Sequence, residues 1–167
     1  GQLRCLDAKD GKLLWAHDFP KEYNVSTPIW GFCGHPLVDG DKLICLVGGE
    51  GSVAVAFNKD TGKELWRALS APEPGYAPPI IIEAAGKRQL LIWPPTSIYS
   101  LNPETGEEYW SQPLQPDYGM SIMAPQKSGD FLFASGIGNI GAAYKLGSDQ
   151  PRAELAWRGK VDSAVYC

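Results

Sequence analysis

Few residues in this chain combine a reactive type with a useful spacing. Histidine occurs only at His17 and His35. An imidazole catalyses or binds metal when a carboxylate, a nucleophile or further ligands converge on it. His17 lies two residues after Trp15 and reads as an exposed strand end, and His35 lies beside Pro36 at the start of an inner strand. With no obvious carboxylate partner, neither is expected in a triad or a metal site. The cysteines are Cys5, Cys33, Cys45 and Cys167, with no Cys-x-x-Cys pair to suggest zinc. Two readings stay open for them. They are free thiols used as small core residues, or Cys33 and Cys45 form a bridge across a hairpin at Asp39-Gly40-Asp41.

Three further motifs invite chemistry and lack its context. Gly136-Ile137-Gly138-Asn139-Ile140-Gly141 fits the dinucleotide fingerprint, but that fingerprint needs a helix after the glycines. Here Ala142–Leu146 follows and reads as a strand. Asn58-Lys59-Asp60-Thr61-Gly62 vaguely suggests a calcium loop, yet it lacks the alternating oxygen ligands and the distant glutamate. Asn24-Val25-Ser26 is a glycosylation sequon. No catalytic cluster is visible, and no catalytic, cofactor-binding or metal-binding residue is assigned.

Composition narrows the classes. The 167 residues are 44% hydrophobic and 20% charged, which suits a folded domain rather than a disordered one. Nineteen Gly and fourteen Pro, scattered along the chain, suit many tight turns. The net charge of −4 and the absence of a Lys/Arg cluster argue against a nucleic-acid partner. No apolar run is long enough to be a transmembrane segment.

The elements that would position any site emerge from an internal repeat. Leu6–Trp15, Phe57–Trp66 and Leu101–Trp110 align without gaps. Each has Asp or Asn in second place (Asp7, Asn58, Asn102), Gly four residues before the end (Gly11, Gly62, Gly106) and Trp last. A looser copy runs from Leu146 to Trp157, with two extra residues and without the Gly. The tryptophans are 51, 44 and 47 residues apart, a period that fits a four-stranded propeller blade. Asp or Asn opens a turn by bonding nearby N–H groups, and Gly supplies a positive φ. Upstream of each motif a strand, a turn and an apolar strand recur, at Pro36–Val47, Pro79–Trp93 and Pro125–Ala134. No sustained helical period is present. The fold class expected is all-β, a partial β-propeller of antiparallel four-stranded blades at about 34–69, 77–112 and 121–158. Residues 1–17 would supply the last two strands of an earlier blade, and 161–167 would begin another.

The Leu-Asp-x-x-Thr-Gly-x-x-x-Trp signature resembles that of the PQQ-like, quinoprotein-type β-propeller repeat family, over essentially the whole chain. The resemblance implies that Trp15, Trp66, Trp110 and Trp157, with Gly11, Gly62 and Gly106, pack each blade against its neighbour. It implies a ring of seven or eight blades, closed by further blades of a parent chain or by self-association. It also implies an extracytoplasmic location in bacteria. The family contains quinoprotein dehydrogenases and non-enzymatic scaffolds, and the chain looks most like its uncharacterised extracytoplasmic members. No adjacent cysteine pair of the dehydrogenase type is present. No cofactor is therefore expected in this stretch, and PQQ with Ca²⁺ belongs only to the dehydrogenase alternative.

Function in such a fold is sought on loops held by rigid sheets. The connection from Asp18 to Cys33 is rich in aromatics, including Tyr23, Trp30 and Phe32. His35, Glu50, Tyr76, Trp93, Tyr118 and Met120 fall in comparable places. Together they could form an aromatic surface for a protein, a peptide or a carbohydrate, or they could cap the ends of the core. The leading expectation is a non-catalytic binding or assembly scaffold. The alternatives are a fragment of a PQQ-dependent alcohol or sugar dehydrogenase and a sensor domain of a larger enzyme.

Overall fold

A computed structural model describes residues 1–160 of the chain. The expected start of a further blade at 161–167, and with it Cys167, lies outside the described residues. The chain divides into two compact units, Gly1–Pro74 and Gly75–Cys167.

In the first unit, β1 (Gln2–Leu6) pairs with β2 (Leu13–Asp18) in a two-stranded sheet. A short helix α1 (Phe19–Tyr23) follows. Then β3 (Leu37–Asp39), β4 (Lys42–Leu46), β5 (Ala54–Asn58) and β6 (Glu64–Ala68) form a four-stranded sheet in chain order. The second unit holds two such sheets. One contains β7 (Ile80–Ala84), β8 (Lys87–Ile92), β9 (Ser97–Leu101) and β10 (Glu108–Pro113). The other contains β11 (Gln126–Ser128), β12 (Phe131–Gly136), β13 (Ile140–Leu146) and β14 (Ala153–Lys160). Every pairing within these ladders is antiparallel. The all-β class expected from the repeat is the class observed.

The repeated turn has a repeated hydrogen-bond set. Asp7, Asn58 and Asn102 each accept at the backbone carbonyl from the glycine four residues on, at 2.8 Å in all three. Their own N–H groups donate to Lys12, Lys63 and Glu107 at 2.7–2.8 Å. Their side chains accept from the backbone N–H two residues later. Asn58 Oδ1 also accepts from the N–H and hydroxyl of Thr61, so the calcium-like motif is a satisfied turn. A register shift recurs at the last hairpin of each sheet, between Cys5 and Leu6, Ala56 and Phe57, Glu108 and Trp110, and Ala143 and Tyr144. A bulge of this kind bends the strand and re-aims the side chain beside it.

Helix α1 has no counterpart in the sequence reading. Its five residues are too few to show a period, but its ends are marked. The Asp18 side chain accepts from Lys21 N–H at 3.4 Å, Pro20 occupies the first turn, and Asn24 leaves the helix at φ 53°.

Each unit has its own core. In the first, Phe19, Val25, Cys45, Val47, Val55 and Phe57 cluster. In the second, Trp93, Trp110, Leu132 and Tyr144 belong to one cluster that draws on both sheets. One polar group sits inside it. Gln89 Oε1, on buried β8, accepts from Trp110 Nε1 at 2.8 Å and from Ser100 Oγ at 2.9 Å, while its Nε2 donates to the Ala84 carbonyl at 3.0 Å. With those bonds made, burial of the amide carries little penalty.

Candidate functional site

The long connection of the first unit runs from α1 to β3. Asn24 turns the chain out of the helix, and Val25 is buried directly after it. A Cβ on Gly49, whose φ is +87°, would stand 2.6 Å from Val25 Cγ1, so glycine there lets the two segments approach. Pro28 is also buried. Between these anchors and Phe32 the chain makes a tight turn, closed by Gly31 N–H donating to the Pro28 carbonyl at 2.8 Å. Ile29 and Trp30 occupy its two central positions and are 81% and 61% exposed. The Cys33 thiol donates to the Trp30 carbonyl at 2.7 Å and braces the turn from its far side. Phe32 is half-buried and meets Phe19 edge-on at 5.6 Å. Below the turn lies a cavity of about 280 Å³, lined by Leu3, Phe19, Thr27, Gly31, Phe32 and Cys45 among others.

The equivalent connection of the second unit leads from β10 to β11. Tyr118 stands in it at φ 58° and is 89% exposed. A non-glycine residue at positive φ is uncommon and costs free energy. Neighbouring contacts hold it there. Asp117 N–H donates to the Ile137 carbonyl at 2.9 Å, and Met120 N–H donates to the Asp117 carbonyl at 3.1 Å. Met120 is half-buried.

Other residues grouped with these by sequence are placed elsewhere. Trp93 is 1% exposed, and its Nε1 donates to the Leu114 carbonyl at 2.9 Å. Its own carbonyl accepts from Ser121 Oγ at 2.6 Å. Tyr76 is buried as well, with its N–H donating to the Ser121 carbonyl at 3.0 Å. Neither ring can offer a face to a ligand, because both are enclosed by packing. This corrects the expectation that they join an aromatic surface. His35 is exposed beside Pro36, and Glu50 is exposed in the turn between β4 and β5.

The repeat tryptophans differ in exposure. Trp66 and Trp110 are buried, Trp15 is half-buried and Trp157 is exposed. Trp15, on β2, donates from Nε1 to the Lys59 carbonyl of the β5–β6 turn at 3.1 Å. Gly11, Gly62 and Gly106 all have positive φ.

His17 is not the exposed strand end that the sequence suggested. It stacks on Phe57 at 4.4 Å, its Nδ1 lies 2.6 Å from Glu22 Oε2 and its Nε2 lies 2.7 Å from the Gly62 carbonyl. A carbonyl and a carboxylate only accept, so each contact takes an N–H from the ring nitrogen that makes it. Burial works against the Glu22 charge, but hydrogen bonds from His17 and from Asp18 N–H hold its carboxyl below the usual range. Both ring nitrogens are occupied, which leaves none for a substrate. The pair therefore clasps α1 and β2 to the β5–β6 turn. One residue along, Tyr23 Oη donates to Glu64 Oε2 at 2.7 Å, and burial followed by this carboxylate pushes the phenol up. Neither Glu22 nor Glu64 stood out in the sequence, because each is paired only through the fold.

The cysteines are separate. Cys5, Cys33 and Cys45 are free thiols, so the Cys33–Cys45 bridge is not formed. Cys45 alone among them is buried, and burial pushes its thiol up to about 12. The glycine-rich segment 136–141 joins β12 to β13, two strands of one ladder, and no helix follows it. Among the described residues no three His, Cys, Asp or Glu side chains are grouped so as to hold a metal ion. No helix of the described residues is long and apolar enough to cross a membrane.

A family profile described as outer membrane protein assembly factor BamB matches residues 1–165. Quinoprotein ethanol dehydrogenase of Pseudomonas putida is 31% identical over 123 residues, covering 66% of this chain and 19% of that protein. Its namesake from Pseudomonas aeruginosa is 31% identical over 128 residues, covering 68% and 20%. The chain thus spans about a fifth of the length of these curated relatives. Among solved structures, BamB from Moraxella catarrhalis superposes with a TM-score of 0.61 at 16% identity, over 99% of this chain and 60% of that one. A europium-containing methanol dehydrogenase gives 0.60 at 18% identity, over 96% and 38%. These likenesses show the fold, and the sheets are blades of a partial β-propeller.

Proposed function

Because this chain belongs to the PQQ-like β-propeller repeat family, we propose that it serves as a non-catalytic binding or assembly scaffold in the bacterial envelope. One observation carries the reading. The profile of an outer-membrane assembly factor spans residues 1–165, nearly the whole chain. The structure is compatible with that role. Its buried apolar residues form cores on the sheets, and the long connections display aromatic side chains on anchored turns. A scaffold needs rigid sheets and presented loops, and it needs no convergent titratable groups.

The second reading is a stretch of a quinoprotein alcohol dehydrogenase, favoured by the 31% identity to the two ethanol dehydrogenases. In that case PQQ and Ca²⁺ would be held by residues other than those described, and no step through them is derived for this chain. The parent protein, loaded with PQQ and Ca²⁺, can be assayed for dye-linked oxidation of ethanol and glucose. The scaffold reading expects no cofactor-dependent turnover. Turnover that rises with PQQ and is lost on chelation would replace it with the dehydrogenase.

A further inference from the structure

We propose that His17 is a protonation-dependent latch between one repeat and the next. With a proton on each ring nitrogen it ties β2 to α1 and to the β5–β6 turn, and loss of one proton releases the turn. The latch works alike in a scaffold and in a dehydrogenase.

Geometry sets the requirement. Nδ1 lies 2.6 Å from Glu22 Oε2, and Nε2 lies 2.7 Å from the Gly62 carbonyl. Both partners accept, and a neutral imidazole carries a single N–H. A neutral ring therefore leaves a lone pair facing one of the two oxygens. The carboxylate is the stronger claimant, because a hydrogen bond to an ionised acceptor is about twice as strong as one to a neutral carbonyl. The Glu22 carboxyl is held below its usual range despite burial, so it stays ionised while the ring titrates. The neutral ring thus keeps Nδ1–H on Glu22 and turns a bare Nε2 toward the Gly62 oxygen, which it can no longer hold.

The ties around the ring stay in place. Trp15 Nε1 donates to the Lys59 carbonyl of the same turn at 3.1 Å, and an indole N–H only donates. Tyr23 Oη donates to Glu64 Oε2 at 2.7 Å, and burial followed by that carboxylate pushes the phenol up, so it keeps its proton. The other charged groups on the elements packed here have their own contacts. The Asp18 side chain of β2 accepts from Lys21 N–H on α1, Lys59 pairs with Asp60 in the turn at 2.9 Å, and Glu64 on β6 also meets Arg67 at 3.2 Å. Lys21 of α1 and Lys63 of the turn are the cations beside these groups in the chain. Phe57 of β5, which stacks on the ring, is uncharged.

The second unit makes the same kind of tie with a group that does not titrate. Gln112 stands two residues after Trp110, as His17 stands two residues after Trp15. Its Nε2 donates to the Ala153 carbonyl, at the start of β14, at 2.7 Å. The position calls for a side-chain N–H aimed at the backbone of the following sheet. An amide supplies that N–H whatever the pH, and histidine makes it depend on a proton.

The test follows the full-length parent protein by NMR from about pH 5 to about pH 9, with isotope-labelled histidine, glycine and lysine. His17→Gln assigns the ring nitrogens, and Lys63→Arg assigns the Gly62 carbonyl through its bond to the next residue. At the acid end both ring nitrogens should carry a proton. At the alkaline end Nδ1 should keep its proton, Nε2 should give the signal of an unprotonated nitrogen, and the Gly62 carbonyl resonance should move in step with it. The Trp15 indole proton should stay fixed throughout. In His17→Gln, whose amide can reach the same carbonyl as Gln112 does, the Gly62 resonance should not move across the range. A bare Nδ1 beside a protonated Nε2, a fixed Gly62 resonance in the wild type, or the same movement in His17→Gln would each overturn the latch. If His17→Gln does not fold, the order in which the wild-type ring nitrogens lose their protons decides it alone.

Discussion

The indole of Trp15 lies against Gly62. A Cβ built on Gly62 would stand 2.8 Å from Trp15 Cδ2, and Trp15 Nε1 reaches the Lys59 carbonyl of the same turn at 3.1 Å. The last residue of one repeat thus rests on the turn of the next. The glycine is needed there twice, for its φ of +73° and for the space its missing side chain leaves. Gly62→Ala is expected to destabilise by about 2–4 kcal/mol, from the backbone penalty plus overpacking. Gly40→Ala is the control, because its φ is +61° and nothing lies within 4 Å of its Cβ position. It should cost only about 1 kcal/mol. Urea midpoints of the two variants check this, and equal midpoints would show that the Trp15 contact contributes nothing.

Acid should weaken the α1 clasp. The folded protein holds the Glu22 carboxyl below its ordinary value of 4.5, so Glu22 adds stability above that pH. The contribution is lost as the pH falls through the depressed folded value. Glu22→Gln should therefore be less stable than wild type at pH 6, and the gap should close as the pH falls through the depressed folded value. Thermal melts across this range read the difference. A gap independent of pH would mean that the carboxylate charge is irrelevant.

The thiols should react in order of exposure. Cys33 is exposed, whereas Cys45 is buried with its thiol pushed up to about 12. In a Cys167→Ser background at pH 8, a thiol reagent should modify Cys33 first, Cys5 more slowly and Cys45 only on unfolding. Mass spectrometry of the time course identifies the sites. Early labelling of Cys45 in the native protein would contradict its placement in the core.

Gln89 should tolerate no apolar substitute by itself. Gln89→Leu would leave the Trp110 indole N–H and the Ser100 hydroxyl without the acceptor they share. The expected loss is about 2–4 kcal/mol, the cost of two buried donors without partners. Adding Ser100→Ala and Trp110→Phe should recover part of that loss, although the smaller ring gives up packing. Urea melts of the single and triple variants settle it, and a triple variant weaker by the sum of its parts would refute the shared-acceptor account.

Much of the fold was legible because its signals are local. Asp or Asn bonds backbone within its own turn, glycine answers a local φ, and Trp follows at a fixed offset, so the repeat announces its hairpins. Helix α1 escaped because five residues show no period and only its caps mark it. The candidate surface was half legible. Trp30 and Tyr118 are exposed, Trp93 and Tyr76 are enclosed, and the exposed Ile29 carries no aromatic signal. Residue type alone does not separate these cases. Trp93 packs in the core, and the Leu114 carbonyl, 21 residues away, satisfies its buried N–H.

The amino-acid sequence alone determined the all-β class and the repeated turn, since both follow from contacts between residues a few positions apart. Tertiary structure decided what each side chain does. It set Trp15 on Gly62, clasped His17 between Glu22 and the Gly62 carbonyl, and turned Ile29 and Trp30 outward. The physical reason is that burial and hydrogen-bond partnership across 44 or 45 residues depend on which strands meet, and turn chemistry does not encode that.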